Sequence, residues 1–351
     1  MGIWYCTRER VKRALDSAET ARNNTQVDAA IASATDQVEG LTHRRFYPTP
    51  ATRYFRWPPS GPHCSYRLWL NADELISVTT LTAGGVVIPA ADYFLEPINS
   101  GPPYTSVEID LSSASAFSAG NTSQRAIAIE GVWGHSAVTA PAGALAAAVT
   151  TTSATTISVT DSAIIGVGDI ILIGSERMIV TGKTMADTTV NIDAGDSLTA
   201  SSADVGLTAS SLIGIPVIDE TILVGSERML VVDAAGTLLT VRRAWDGSVL
   251  AAHAPSADLW APRTLTVERG ALGTTAATHL IAAAITKHVP PPLVSSLAVA
   301  EAMNTLLNEG SGYARVAGSG DNAREYWGRA LVGLREQVYT RYGRQARMRA
   351  V

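Results

Sequence analysis

Cysteine is scarce in this chain of 351 residues: Cys6 and Cys64 are the only two, far apart and without Cys-x-x-Cys spacing. That argues against a disulfide framework and against a cysteine zinc site. Two free thiols fit assembly in a reducing cytoplasm. No run of 18 apolar residues occurs, so no membrane span is expected. The opening Met1-Gly2-Ile3-Trp4-Tyr5-Cys6 is followed at once by Arg8, Arg10, Lys12 and Arg13, which leaves no apolar stretch of signal-peptide length. Aromatic residues make up only 6%, which favours small sheets over one large aromatic core. His-Glu-x-x-His, Gly-x-Ser-x-Gly and Gly-x-x-x-x-Gly-Lys are all missing. The expectation is a protein that is not an enzyme and that uses no cofactor and no metal.

Hydrophobic content of 46% and charged content of 17% suit a folded chain with a sizeable core. Net charge is −5, unevenly placed. Residues 1–56 hold nine basic and six acidic side chains, and residues 321–351 hold seven and three, so the middle is strongly acidic. Basic ends around an acidic middle suggest that different parts face different partners.

Thr7 is placed to cap a first helix carrying Val11, Leu15 and Ala18 on one face, with Glu9 in its first turn. Asn23-Asn24 breaks it. Thr25 and Asp28 are spaced like a capping box, and Val27, Ile31, Ala34, Val38 and Leu41 form the apolar stripe of a second helix. That helix closes on Arg44-Arg45-Phe46-Tyr47. Prolines 48, 50, 58, 59 and 62 then stop helix formation. Strands are predicted at 52–57, 68–70, 76–81, 86–88, 93–95, 106–109 and 126–130, with Gly84-Gly85 as a hairpin turn. At the other end, Pro290-Pro291-Pro292 starts a helix carrying Leu293, Leu297, Ala300 and Leu307. Asp321 is the expected cap of a final Arg-rich helix carrying Tyr326, Ala330, Leu334 and Val338.

Between these ends the chain repeats itself. Residues 169–180 align with 220–231 at eight of twelve identical positions, through a shared Gly-Ser-Glu-Arg-Met. Residues 239–253 align with 265–279 at seven of fifteen, from a shared Leu-Thr-Val to a shared His. Each unit reads as strand, tight turn and returning strand, and two such modules stacked together would bury faces that neither buries alone. The predicted class is α+β: a helical frame from the two ends, a small β-domain, and an inserted all-β repeat domain. The predicted boundaries are 1–48, 49–136, 137–287 (units near 169–206 and 220–279) and 288–351.

Few residues invite chemistry. Glu176 and Arg177 match Glu227 and Arg228, and an acid/base reading of the glutamates competes with a turn-flanking ion pair or solvated hairpin, which is favoured. His253 and His279 also correspond, and a hydrogen-bonded turn histidine is the simpler reading. Asp193, Asp196 and Asp204 lack the spacing of a calcium loop. The basic ends are the better candidates. Arg335, Arg341, Arg344, Arg347 and Arg349 crowd the C-terminus, where guanidinium groups suit phosphate contact and carboxylate capture. Arg44 and Arg45 close the second helix. No aromatic interleaving marks a base-stacking surface.

Taken in order, several segments resemble the head-to-tail connector (adaptor, or head-completion) family of long-tailed double-stranded DNA bacteriophages. They are the helix from Thr7, the helix from Val27 to Leu41, Arg44-Arg45-Phe46-Tyr47, Leu68-Trp69-Leu70 with Ser77-Val78-Thr79, Ile129-Glu130-Gly131-Val132-Trp133-Gly134, the Val289-Pro290 helix start and the Arg-rich end. The larger members from actinobacterial phages are the nearest in kind. Short members pass almost directly from the Trp-Gly strand to the Val-Pro helix, whereas here a long β-rich insert intervenes.

The resemblance implies a homo-oligomeric ring, commonly a dodecamer, at the neck of the virion, assembled in the host cytoplasm and without contact to membrane. The ring would sit between the portal protein and a stopper or tail-completion protein. Arg341, Tyr342, Arg344, Arg347 and Arg349 would dock on the portal. Arg44 and Arg45 would lie at ring or channel contacts, meeting genomic DNA without base readout. The acidic insert is expected outside the ring, away from phosphate. The rival expectations are a tail, baseplate or capsid decoration protein, favoured by the repeats alone, and a phage-encoded cell-wall hydrolase.

Overall fold

The computed structural model describes residues 2–15, 23–59, 64–310, 316–317, 324–325 and 329–344. Thr7 Oγ1 accepts a hydrogen bond from Arg10 N–H and caps α1 (Arg8–Ala14). The second helix, α2 (Asn24–Thr42), starts before the predicted Thr25 cap. Asp28 does not close a capping box; it receives Arg8 Nε and Nη2 at 2.7 and 2.6 Å. Val27, Ile31, Ala34 and Val38 are fully buried on one face of α2, and burying such a Val or Ile contributes about 1.5–3 kcal/mol. Against that face pack Val294, Leu297 and Ala298 of α3 (Pro292–Gly310) and Val338 of α4 (Arg329–Tyr342). Glu301 on α3 is held by Arg335 on α4, with Nη2 donating at 2.7 Å. The expected cap Asp321 lies outside the described residues.

The small β-domain contains two antiparallel sheets. One joins β1 (Thr49–Phe55), β3 (Leu75–Ala83), β4 (Val86–Ile88) and β7 (Ile127–Trp133) in the order β1-β7-β3-β4. The other joins β2 (Arg67–Trp69), β5 (Tyr93–Glu96) and β6 (Ser106–Ile109) in the order β2-β6-β5. Alternation puts Ile127, Ile129 and Trp133 inward, against Leu68, Leu75, Leu81 and Val107. The Trp133 indole donates to Ala51 O at 2.9 Å.

The insert forms a single ten-stranded antiparallel sheet from β8 (Thr139–Ala144), β9 (Thr156–Ser158), β10 (Ile170–Ile173), β11 (Glu176–Asn191), β12 (Gly206–Thr208), β13 (Thr221–Val224), β14 (Glu227–Ala235), β15 (Leu238–Arg242), β16 (Asp258–Glu268) and β17 (Ala284–His288). Two short strands, β18 (Val316–Ala317) and β19 (Arg324–Glu325), pair beyond α3.

These proportions overturn the predicted class. Strand accounts for 36% of the structure and helix for 21%, so the chain is mostly β, with antiparallel sheets and, among the described residues, no closed barrel and no helical frame. The helical ends weighed too heavily in that expectation. α1 spans only Arg8–Ala14 and α4 only Arg329–Tyr342, whereas strands from both repeats join one sheet. The physical reason is that an unpaired strand edge leaves backbone N–H and C=O groups unsatisfied, and sharing one sheet pairs them.

The repeats are nested rather than consecutive. A parent unit uses β8, β9, β10, the first half of β11, the second half of β16, and β17. A nested unit uses the second half of β11, β12, β13, β14, β15 and the first half of β16. Pairings correspond one to one: Ile157↔Leu265 with Leu207↔Leu239, Ile171↔Met178 with Ile222↔Met229, and Val149↔His279 with Leu198↔His253. Even the irregularities match, at Val180/Gly182 and Val231/Asp233. In the nested unit Ala235 pairs with Leu238 across the two-residue turn Gly236–Thr237. In the parent unit Thr184 pairs with Thr264, and residues 185–263 occupy the place of that turn. The units do not share a stacked core as predicted. Ile171, Ile173, Met178, Val180, Leu265 and Ile285 form one core, and their counterparts Ile222, Val224, Met229, Val231, Leu239 and Leu259 form another.

Candidate docking site at the helical corner

Phe46 is the hub of this corner. Its ring meets Tyr5, His135 and Tyr342 edge-on, at centroid distances of 5.6, 5.2 and 5.7 Å, an arrangement that aromatic quadrupoles favour. Its N–H donates to Tyr5 Oη at 3.0 Å, and its carbonyl accepts from His288 Nε2 at 2.6 Å. Tyr5 Oη donates to Glu39 at 2.8 Å. Burial raises the pKa of Tyr5, and the Glu39 charge adds to the effect. Arg344 N–H donates to Thr42 O, and His135 N–H donates to Arg45 O. Tyr5, the stretch from Glu39 to Phe46, His135, His288 and the stretch from Tyr342 to Arg344 therefore meet at one point.

Charge converges there too. Arg44 Nη1 donates to Glu74 Oε1 and to His135 Nδ1 at 2.5 and 2.8 Å, while Arg344 Nη2 lies 3.9 Å from Glu74 Oε2. Burial would raise the Glu74 pKa; His135, Arg44 and Arg344 outweigh that and hold its carboxyl below the usual carboxylate range. Beside this cluster lies a cleft of about 350 Å³, lined by Arg44, Arg45, Arg53, Arg344, Glu39 and Glu74 among others. The Arg45 side chain is 65% exposed, 3.8 Å from Glu39. Arg341 is exposed, with its guanidinium 5.7 Å from the Tyr342 ring centroid.

The two predicted groups thus form one neighbourhood. Arg44 and Arg344 share Glu74, and Tyr342 packs on Phe46. Arg347 and Arg349 lie outside the described residues. Arg45 and Arg341 present charge to solvent, whereas Arg44 is engaged by buried Glu74. Sequence reasoning missed Glu74, His135 and Tyr5, which sit in strand-end and loop positions with no motif around them.

The repeat glutamates are not solvated turn residues. Glu176 and Glu227 are fully buried. Glu176 accepts Arg269 Nε and Nη2 at 2.7 and 2.8 Å, Gly270 and Ala277 N–H at 3.0 and 2.9 Å, and His279 Nε2 at 2.8 Å. Glu227 repeats the pattern with Arg243 Nε and Nη2, both at 2.9 Å, Ala244 and Ala251 N–H at 2.8 and 3.0 Å, and His253 Nε2 at 2.9 Å. Burial alone would raise both carboxyl pKa values; these donors outweigh it and bring each down to about 2. A carboxylate so occupied and so acidic is poorly placed to act as a base near neutral pH. It staples the turn after the Leu-Thr-Val strand to the Gly-Ser hairpin. The partner is not the adjacent Arg177 or Arg228. The signal was present: Arg243 and Arg269 stand at identical repeat positions, so Glu, Arg and His recur together.

Asp193, Asp196 and Asp204 bind their own loop: Asp193 accepts Gly195 N–H, Asp196 accepts Ser197 and Thr208 N–H, and Asp204 accepts Thr199 N–H and Oγ1. Among the described residues no group of three or more His, Cys, Asp or Glu is arranged to hold a metal. Cys6 is buried and its thiol is pushed up to about 12, chiefly by burial. A larger cleft of about 670 Å³ lies between α1 and both β-units. Its charges include the pairs Lys287–Asp169 and Arg228–Asp246. No described helix is long and apolar enough to cross a membrane. No family model matches the chain, and neither a characterised protein nor a solved structure does so.

Proposed function

We propose that the chain is a structural virion protein that forms the head-to-tail connector ring between the portal and a stopper or tail-completion protein. One observation carries this reading. Two stretches on which the resemblance rests, Arg44-Arg45-Phe46-Tyr47 and the Arg-rich end at Tyr342 and Arg344, pack together at Phe46, and Tyr5, His135 and His288, which border other such stretches, join them there. That gives distant weak motifs a common physical purpose. In this reading the segment from Arg341 through Tyr342, Arg344, Arg347 and Arg349 docks on the portal, and Arg45 meets a neighbouring subunit or the DNA in the channel. Arg44 supports that surface through Glu74 and His135. Contacts to DNA are electrostatic, independent of sequence and weakened by salt.

The test is peptide mass spectrometry of purified virions, with this chain counted against the major capsid protein. About a dozen copies per particle is the expected result for a closed neck ring. The β-rich body with its nested repeat favours, as a second reading, a tail, baseplate or decoration protein. Hundreds of copies would select that reading, and absence from the particle would sink both.

A further inference from the structure

We infer that residues 185–263 are an inserted module whose folding and loss are separable from the rest of the chain, so that the connector role belongs to the remainder. The functional half rests on the reading proposed above; the folding half does not.

Three independent observations support the separation. The nested unit owns its core, with Met229, Val231, Leu239 and Leu259 buried among themselves and not among the parent's residues. It also owns its staple, because Glu227, Arg243 and His253 all lie within it. Finally, it enters and leaves side by side. Thr184 and Thr264 are paired across neighbouring strands, at the position where the nested unit itself closes with Gly236–Thr237. The same architecture therefore contains its own demonstration that two residues suffice there.

The contacts that cross the boundary include Val159 N–H donating to Arg263 O at 2.9 Å and the Asp246 charge acting on buried Lys12 of α1, which keeps its hydrogen bond to Asn24. Glu220 accepts Arg263 Nε and Nη2 at 2.9 and 2.7 Å, and Ser162 Oγ at 2.9 Å. Glu220 and Arg263 would leave together, so neither of this pair is stranded, while Lys12 would lose Asp246 and keep Asn24, Glu9 and Asp28 around it. The helical core takes Val167, Ile170, Ile179 and Ala271 from the insert, all parent residues. The module also holds ten acidic and four basic side chains. Removing it takes away the chain's acidic excess, which suits a remainder that faces phosphate.

The experiment replaces Met185–Arg263 by Gly-Thr in the otherwise full chain. The expected product is soluble and melts cooperatively. Amide exchange at 170–180 and 265–268 stays within about threefold of wild type, and phage carrying the variant incorporate the same number of copies. A second variant, Met229→Asp in the full chain, puts a carboxylate into the nested core. It should lose protection at 206–242 and keep it at 170–180. Loss from both units together overturns separability, whatever the shortened chain does. If the wild type counts about a dozen per virion and the folded shortened chain is missing, the functional half fails and the connector reading stands. If the wild type counts in the hundreds, the connector reading fails and the folding result is untouched.

Discussion

The parent and nested units share a fold, a core pattern and a five-donor carboxylate, yet it is the parent whose loop hydrogen-bonds α1 and whose residues enter the helical core. The difference is concentrated in one loop. In the parent it reads Gly166-Val167-Gly168-Asp169; in the nested unit it reads Val217-Ile218-Asp219-Glu220. Arg8 N–H donates to Val167 O, and Val167 N–H donates to Glu9 Oε2. A Cβ added to Gly168 would lie 2.2 Å from the Trp4 ring, and one added to Gly166 would lie 2.6 Å from Thr7 Cβ. The parent loop thus admits the N-terminal segment because two side chains are missing. Asp219 has the same left-handed backbone as Gly168 but carries a side chain, and Ile218, the counterpart of buried Val167, is 48% exposed. Duplicated cores can keep the same interior while a few surface positions decide which copy is docked.

The strongest way to break the symmetry is to remove a staple. Glu176→Ala and Glu227→Ala each leave a buried arginine without its carboxylate, a loss of about 3–5 kcal/mol. Calorimetry should show Glu176→Ala lowering the main transition, because the parent joins the helical core. Glu227→Ala should produce an early partial transition confined to the nested unit. Equal effects on a single shared transition would contradict the separation of the two cores.

Acid should then act on both units alike. Each glutamate is held near 2, against an ordinary value of 4.5. The ionised folded form is favoured, so this contribution is complete above about pH 4.5 and is lost as pH falls towards 2. It amounts to something on the order of 3 kcal/mol per staple. Denaturant midpoints should hold between pH 7 and 5 as far as these groups are concerned, then drop below pH 4. In Glu176→Gln the acid-dependent part belonging to the parent should disappear.

The docking loop gives a smaller and sharper contrast. Gly168→Ala should destabilise by about 1–3 kcal/mol through overpacking against Trp4, with added backbone strain. Asp219→Ala, at the matching exposed position, meets no neighbouring ring and should cost less than about 1 kcal/mol, through the left-handed backbone that Asp tolerates better than Ala. Urea titrations of both variants read the difference directly, and equal losses would remove the explanation from the two glycines. A similarly small effect on stability belongs to Arg45→Ala. Its distant pairing with Glu39 is exposed, so stability should change by less than about 1 kcal/mol. If Arg45 faces DNA in the proposed connector ring, the salt dependence of DNA retention should nonetheless become shallower.

Much of the local structure was legible in the sequence. Periodicity placed α2 and most strands of the small β-domain, because one-sided burial writes a period of 3.6 or 2 into the chain. The Gly-Ser hairpins and the duplication were equally plain. The class was misjudged because the helical ends carried recognisable motifs and the strands did not. Nesting was hidden because equivalent segments occur in the order parent, nested, nested, parent, and a repeat comparison reports likeness without pairing. The Glu176–Arg269 and Glu227–Arg243 staples were half visible: all four residues lie in aligned windows, but the neighbouring Arg177 and Arg228 offered a nearer partner. Nothing local announced that Glu74 would join Arg44 to Arg344, since that contact is created by tertiary packing alone.

A reconstruction of the portal vertex of purified virions, computed without imposed capsid symmetry, tests the central claim most directly. The account predicts this chain as a closed ring beneath the portal, with the Phe46 corner and the segment from Arg341 against the portal and the nested unit away from the channel. Finding the chain instead in the tail tube, the baseplate or the capsid lattice would contradict it.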